Sequence, residues 1–163
     1  MSYFRKVISS PVGNLTLVSS SDKLVAVLQE RDDPMRVGIP PSLESKERPI
    51  LVEAAKQLGE YFSGRRKLFD LPIDFCGTAF QKKVWLELTK IPYGQMVSYE
   101  EIAKKIEAPQ DTRAVGAANG RNPLSIIAAC HRVIGKNGKL IGFTGGLKAK
   151  TFLLNLEARC GII

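Results

Sequence analysis

Apolar and polar positions follow a short period through the first thirty residues and a helical period after that. Tyr3 to Ile8, Leu15-Thr16-Leu17-Val18 and Leu24-Val25-Ala26-Val27-Leu28 read as strands, split by a Pro11-Val12-Gly13-Asn14 turn and a polar Ser/Asp turn. Residues 31–49 hold four prolines and many charges, which predicts a loop. Leu51, Ala54, Ala55, Leu58, Tyr61 and Phe62 fall on helical spacing, so Ile50 to Phe62 predicts a helix stopped at Ser63-Gly64. Arg65 to Asp74 fits an edge strand or a linker. The first third is therefore a small β-meander with one helix.

Helical spacing returns at Phe80, Val84, Leu88 and Ile91, on a helix that ends before Pro92-Tyr93-Gly94. Ser98-x-x-Glu101 is a capping-box signature, in which hydroxyl and carboxylate each satisfy an orphan backbone N–H, and it opens a helix from Tyr99 to Glu107. A turn with Pro109 follows. Asp111 or Thr112 can then cap a second short helix, Arg113 to Asn119, stopped by Gly120. Two short helices around a tight turn make a helix-turn-helix candidate. An apolar run after Asn122-Pro123 leads to Cys130. Lys136-Asn137-Gly138-Lys139 predicts a type I′ hairpin between Val133-Ile134 and Leu140-Ile141. Gly142 to Gly146 is a glycine-rich loop, either a plain connection or backbone that can approach a flat ligand closely. Leu147 to Ala158 closes the chain as a helix with Phe152, Leu153 and Leu156 apolar.

At 163 residues with 44% apolar side chains, the chain can bury a core as one domain or two small ones. No apolar stretch is long enough to span a membrane. The segment Met1-Ser2-Tyr3-Phe4-Arg5-Lys6 lacks a signal peptide's apolar core, so a cytoplasmic location is expected. Cysteines at 76, 130 and 160 are odd in number and far apart, which fits a reducing compartment and no disulfide framework. With a single histidine besides, no metal site is expected.

Charge divides the chain. Residues 1–74 carry 11 Lys/Arg against 10 Asp/Glu, whereas residues 75–163 carry 13 against 6. From Thr112 onward Glu157 is the only acid among eight basic residues. A basic half joined to a neutral one fits a phosphate-backbone footprint on the C-terminal part, or a merely solvated basic surface. The second helix of the pair offers Ala114, Gly116, Ala117 and Ala118 behind one arginine, Arg113. A major-groove reading helix projects several long polar side chains. This one is built for close approach, as in a minor groove, and that composition argues against a transcription regulator.

The candidate chemistry is Cys130 set directly against His131. A neighbouring imidazole is the usual means of making a thiolate near neutral pH. Adjacency alone leaves a buried structural cysteine equally open, because neighbours on an extended chain point to opposite sides. Delivery of Cys-His-Arg into a basic region suggests a nucleophile presented to an anionic partner.

In order, Pro92-Tyr93-Gly94, Ser98-Tyr99, Arg113-Ala114-Val115-Gly116, Asn122-Pro123, Cys130-His131-Arg132-Val133, Gly145-Gly146 and Leu153-Leu154-x-x-Glu157 resemble the O6-alkylguanine-DNA alkyltransferases. The set covers roughly residues 78–158. The resemblance implies an α+β fold. An N-terminal ribonuclease-H-like antiparallel β-sheet with a helix occupies 1–74, and a mostly helical winged-helix/helix-turn-helix domain carrying the active cysteine occupies 75–163. It implies DNA repair by a single irreversible transfer of the alkyl group from O6-alkylguanine, and plausibly O4-alkylthymine, to Cys130. His131 then acts as a base through a water and Glu157 orients it. Arg113 enters the stack through the minor groove when the base flips, with Thr112, Ala114, Gly116 and Ala117 at the DNA. Tyr99 meets the adjacent phosphate and the flipped guanine. Asn122 is the hinge between the recognition helix and the active-site strand.

The guanine pocket implied by the resemblance is lined by Tyr99, Ser125, Phe143, Thr144 and Gly145. The carbonyls of Cys130 and Val133 accept from the exocyclic amine. Ala129, Phe143 and Ser125 depart from residues common in the family, which bears on rate and substrate range. The expected partner is double-stranded DNA bearing O6-alkylguanine, with no membrane and no cofactor. The protein is expected as a monomer, with self-association on DNA left open. A thiol hydrolase using Cys130, His131 and Glu157 would instead turn over repeatedly.

Overall fold

A computed structural model describes residues 2–30, 32, 37–135 and 146–160. Strands β1 (Phe4–Ile8), β2 (Leu15–Ser19) and β3 (Leu24–Gln29) form the expected antiparallel meander. β3 is buried at every position, since both its faces are covered. Leu24 and Val27 join the main apolar cluster, while Val25, Ala26 and Leu28 pack with Val18, Val37 and Ile39 on the other side. The sheet order is β3-β2-β1-β4, and the fourth strand corrects the reading of residues 31–49 as loop throughout. β4 (Leu43–Glu44) runs parallel to β1, through Leu43 N–H to the Tyr3 carbonyl and Ser45 N–H to the Arg5 carbonyl, both at 2.9 Å. Both its side chains are exposed, so it carries no alternating pattern to read.

Helix α1 (Pro49–Phe62) begins with proline, whose missing N–H is harmless in the first turn. It buries Ile50, Leu51, Ala54, Leu58 and Tyr61 in the main cluster. Gln57, also buried, bonds the Asp70 carbonyl at 3.0 Å and the Asp70 N–H at 2.9 Å, pinning the chain that leaves the helix. That chain makes a single parallel bridge, Leu24 to Ile73, on the outer side of β3. The 65–74 segment is thus a linker that touches the edge, not a strand. Gly64 ends the helix with φ +80°, and a Cβ there would lie 2.7 Å from the Cys160 sulfur.

Helix α2 (Ala79–Thr89) opens with a capping box between Thr78 and Gln81. Helix α3 (Tyr99–Lys105) opens with the expected box between Ser98 and Glu101. Helix α4 (Thr112–Gly120) has Asp111 at its N-cap, but the Asp111 side chain makes no capping bond. The helix also takes in Gly120, one residue beyond the expected stop. α4 packs on α2, where the Trp85 indole N–H donates to the Ala118 carbonyl at 2.8 Å. Helix α5 (Leu147–Cys160) closes the described chain. One apolar cluster contains Leu17 and Leu58 from the first half together with Leu88, Leu124, Val133 and Leu153 from the second.

Candidate active site

The turn that carries Cys130 is held from three sides. Asn122 Nδ2 donates to the Ala128 carbonyl at 2.8 Å, and its Oδ1 accepts from Leu124 N–H at 3.0 Å. Val27 N–H donates to the Pro123 carbonyl at 2.8 Å, docking the segment on the edge of β3. Ala129 N–H donates to Leu88 at the end of α2. Within this brace Ile126, a β-branched residue, is buried at φ +75°, a conformation that costs about 1–3 kcal/mol and persists only where surroundings impose it.

Cys130-His131-Arg132 forms one 3-10 turn, not the expected extended strand. With three residues per turn, the three side chains diverge in three directions. The chain then enters a two-residue strand, β6 (Val133–Ile134), paired in parallel with β5 (Val97–Ser98) at the start of α3. Cys130, His131 and Arg132 are all buried. Burial pushes the Cys130 thiol up to about 11, against the pull of the Asn122 side chain and the Lys150 charge, with Asp32 adding to the rise. The site therefore holds a protonated thiol and needs a base to release it.

Glu157 organises that base. Its Oε2 accepts from Tyr61 Oη at 2.6 Å, His131 Nε2 at 2.6 Å and Arg132 Nη2 at 2.9 Å. Its Oε1 accepts from Arg132 Nε at 2.8 Å and Gly94 N–H at 3.1 Å. Burial alone would raise its pKa, but hydrogen bonds and charge from His131 and Arg132 hold the carboxyl well below the usual range. An ionised Glu157 can only accept, so Nε2 of His131 carries the ring proton. Burial lowers the His131 pKa despite Glu157, which keeps the imidazole neutral. Nδ1 has no hydrogen-bond partner among the described residues, so its lone pair is available as a base.

Arg132 is spent inside the protein. Besides Glu157 it bonds the Ile91 carbonyl at 2.7 Å and lies 5.5 Å from the Tyr93 ring centroid. With all three of its guanidinium nitrogens bonded inside the protein, Arg132 is not on offer to an anionic partner. Lys150 is buried too, and its ammonium donates to the Val133 carbonyl at 2.6 Å. That carbonyl is the expected acceptor for an exocyclic amine and retains one lone pair.

The other expected residues lie around this centre. Tyr99 is half-buried at the start of α3, and burial followed by the Cys130 charge raises its pKa. Gly116 faces it, where a Cβ would lie 3.9 Å from the Tyr99 ring. Arg113, Ala114 and Ala117 are exposed on α4, with Thr112 partly so. Ser125 is fully buried. Phe143, Thr144 and Gly145 lie outside the described residues, as does the hairpin expected at 136–139.

Four residues at the site were not foreseen as such: Tyr61, Gly94, Arg132 and Lys150. Lys150 was detectable, because a lysine on the same helical face as Leu153 and Glu157 is anomalous in an apolar stripe. Tyr61 was not, standing 96 positions from its partner. Among the described residues no three His, Cys, Asp or Glu side chains gather as metal ligands, and no helix is long and apolar enough to cross a membrane.

Two family models match the chain. One, described as the ribonuclease-like domain of 6-O-methylguanine DNA methyltransferase, covers residues 3–75. The other, that protein's DNA-binding domain, covers 79–159. A methylated-DNA–protein-cysteine methyltransferase of Mycobacterium leprae is 46% identical over 150 residues, 91% of this chain and 88% of that protein. The constitutive one of Bacillus subtilis is 43% identical over 159 residues, 96% of each. The solved O6-methylguanine methyltransferase of Mycobacterium tuberculosis matches with a TM-score of 0.86 at 42% identity, covering 96% of this chain and 93% of that one. The same organism's OGT protein in complex with DNA matches with a TM-score of 0.88 at 41% identity, covering 98% and 94%.

Proposed function

Since the chain belongs to the family of methylated-DNA–protein-cysteine methyltransferases, DNA repair enzymes, we propose that Cys130 is the acceptor sulfur and that it reacts once. The observation that carries this is the neutral His131, with Nε2–H committed to Glu157 and Nδ1 open, beside a buried thiol that needs deprotonation. The Cys130 proton passes through a water to Nδ1, and Glu157 stabilises the resulting imidazolium. The sulfur attacks the alkyl carbon of O6-alkylguanine. A carbon–sulfur bond forms as the carbon–O6 bond breaks, and the departing guanine takes up one proton. Thiol and O6-alkylguanine thus become thioether and guanine with no net charge. No described group would cleave a thioether, which supports one turnover per molecule.

The target base lies inside a duplex, so it leaves the stack at a cost of a few kcal/mol. The exposed face of α4 supports a minor-groove approach, with Ala114 and Ala117 allowing close contact and Arg113 filling the vacated space. Thr112 and Gly116 complete that contact. Tyr99 and Ser125 belong to the pocket, with Asn122 holding the hinge. O4-alkylthymine is a second substrate of the same reading. The division into residues 1–74 and 75–163 is supported by the two family models meeting between 75 and 79. A monomer in a reducing, cytoplasmic setting suits free thiols at Cys76, Cys130 and Cys160.

The test is incubation with duplex DNA carrying labelled O6-methylguanine, followed by peptide mass mapping. Label is expected on Cys130, one per protein at most. Label elsewhere, or uptake by Cys130→Ala, overturns the assignment. Arg113→Ala should slow repair of duplex DNA far more than reaction with free O6-benzylguanine; equal losses would remove it from base flipping.

A further inference from the structure

The carboxylate of Glu157 is shared more widely than the relay requires. A carboxylate has about four lone-pair sites, and this one accepts five donor contacts. Oε2, the oxygen that holds His131, also takes the Tyr61 hydroxyl at the same 2.6 Å distance. Tyr61 comes from α1 in the opposite half of the chain. Its ring is fully buried and clamped by Phe62, Phe69 and Tyr93, with centroids 5.4, 5.6 and 6.2 Å away. Phenylalanine would fill that space equally well. The hydroxyl adds a single charge-assisted bond, aimed at the oxygen on which His131 depends.

We propose that Tyr61 is a positioning residue of the transfer reaction, setting the place and basicity of Glu157 and thereby the proton affinity of His131. This rests on the reading of His131 and Glu157 as the relay that serves Cys130. Tyr61 competes with His131 for Oε2, so its bond draws charge from the carboxylate and tempers the hold on the imidazolium. Burial raises the Tyr61 pKa and the Glu157 charge raises it further, so the hydroxyl stays a donor throughout the working range. The charged and titratable groups acting on Tyr61 and His131 are Glu157 and Lys150 from α5, Arg132 from the turn, and Tyr93 ahead of β5. All remain in place when only the hydroxyl is removed. The N-terminal half therefore supplies a donor to the reacting centre, beyond bracing it through the β3 edge.

The chain has one histidine, so its imidazole gives a single set of nitrogen and proton resonances. In Tyr61→Phe, Oε2 becomes a better acceptor, and the His131 Nε2–H proton should move downfield. The acid limb of the single-turnover rate against pH should shift upward by about half a unit or more. The plateau rate should rise about two- to threefold, because a more basic His131 takes the Cys130 proton more readily, with duplex affinity unchanged. A fluorinated tyrosine at position 61, a stronger donor in nearly the same volume, should move the Nε2–H resonance the opposite way. Opposite shifts support the inference. No shift, or the same direction in both variants, overturns it as mere packing. Glu157→Gln separates the two levels: a full rate there defeats the relay itself, whereas a lost rate with unmoved Tyr61 variants defeats only the role of Tyr61.

Discussion

Arg132→Met tests the electrostatics of the site most severely. The methionine keeps much of the side-chain length and removes the charge. Glu157 then loses Nε at 2.8 Å and Nη2 at 2.9 Å, and the Ile91 carbonyl loses Nη1 at 2.7 Å. Stranding one partner of a buried ion pair costs about 3–5 kcal/mol. An orphaned buried carbonyl costs about 1–3 kcal/mol more in isolation. These share one side chain and do not sum fully, so a loss of about 4–5 kcal/mol is expected, a large part of a typical domain's roughly 5–15. Glu157→Gln alone strands the guanidinium instead and also destabilises. The double variant buries neither charge; the glutamine oxygen can still accept from Gly94 N–H while its NH2 donates to the Tyr61 hydroxyl, which turns to accept. It should be more stable than the two single losses imply, by about 2–3 kcal/mol. Urea unfolding of the four proteins measures this from midpoints at constant slope. If the double variant's loss equals the sum of the single losses within about 0.5 kcal/mol, the two groups do not act as a pair and the reasoning fails.

Three further outcomes follow from the same structure. Asn122→Ala removes two buried hydrogen bonds and should cost about 2–4 kcal/mol by urea unfolding, with a slower alkyl transfer because the Cys130 turn loses its tie to α4. The folded pKa of Glu157 lies below its unfolded value of about 4.3, so its contribution to stability is complete above that pH and is lost as pH falls towards the folded value. Thermal unfolding between about pH 7 and pH 3 should show that loss, and Glu157→Gln should flatten it. Thr78→Ala breaks the α2 capping box and should cost about 1 kcal/mol of stability with no change in transfer rate.

What was legible in the chain follows from how local each signal is. The α3 capping box is read at a spacing of three because donor and acceptor lie in one helical turn. Glu157 stood out as the only acid after Thr112, and the structure pairs it with His131. Arg132 was visible only as a cation beside the cysteine-histidine pair, since its burial against a carboxylate leaves no local signal. The shape of the Cys130 turn was also hidden: a 3-10 turn and an extended strand share an apolar approach, and a three-residue span shows no period. β4 and β5 are two residues long each, below any pattern's reach, whereas β6 was legible as Val133-Ile134 from the turn signal after it, though not its pairing with β5. Tyr61 belongs to a class that no local reading recovers, because its partner is brought to it only by the joining of both halves in one core.

The docking of Pro123 and Pro72 on β3 bears on what happens when the protein fails. β3 lies at the end of the sheet order and is apolar at five of its six positions, a template for pairing with another chain. Its outward N–H groups at Leu24 and Val27 are instead answered by the carbonyls of Pro72 and Pro123. Those residues precede Ile73 and Leu124, so the strand's exposed ladder is closed by the linker and by the approach to Cys130. Anything that dislodges that approach, a bulky adduct on the sulfur or the loss of Asn122, uncovers a sticky edge in the same motion. Molecules that lose this cover would offer that edge to another chain for pairing.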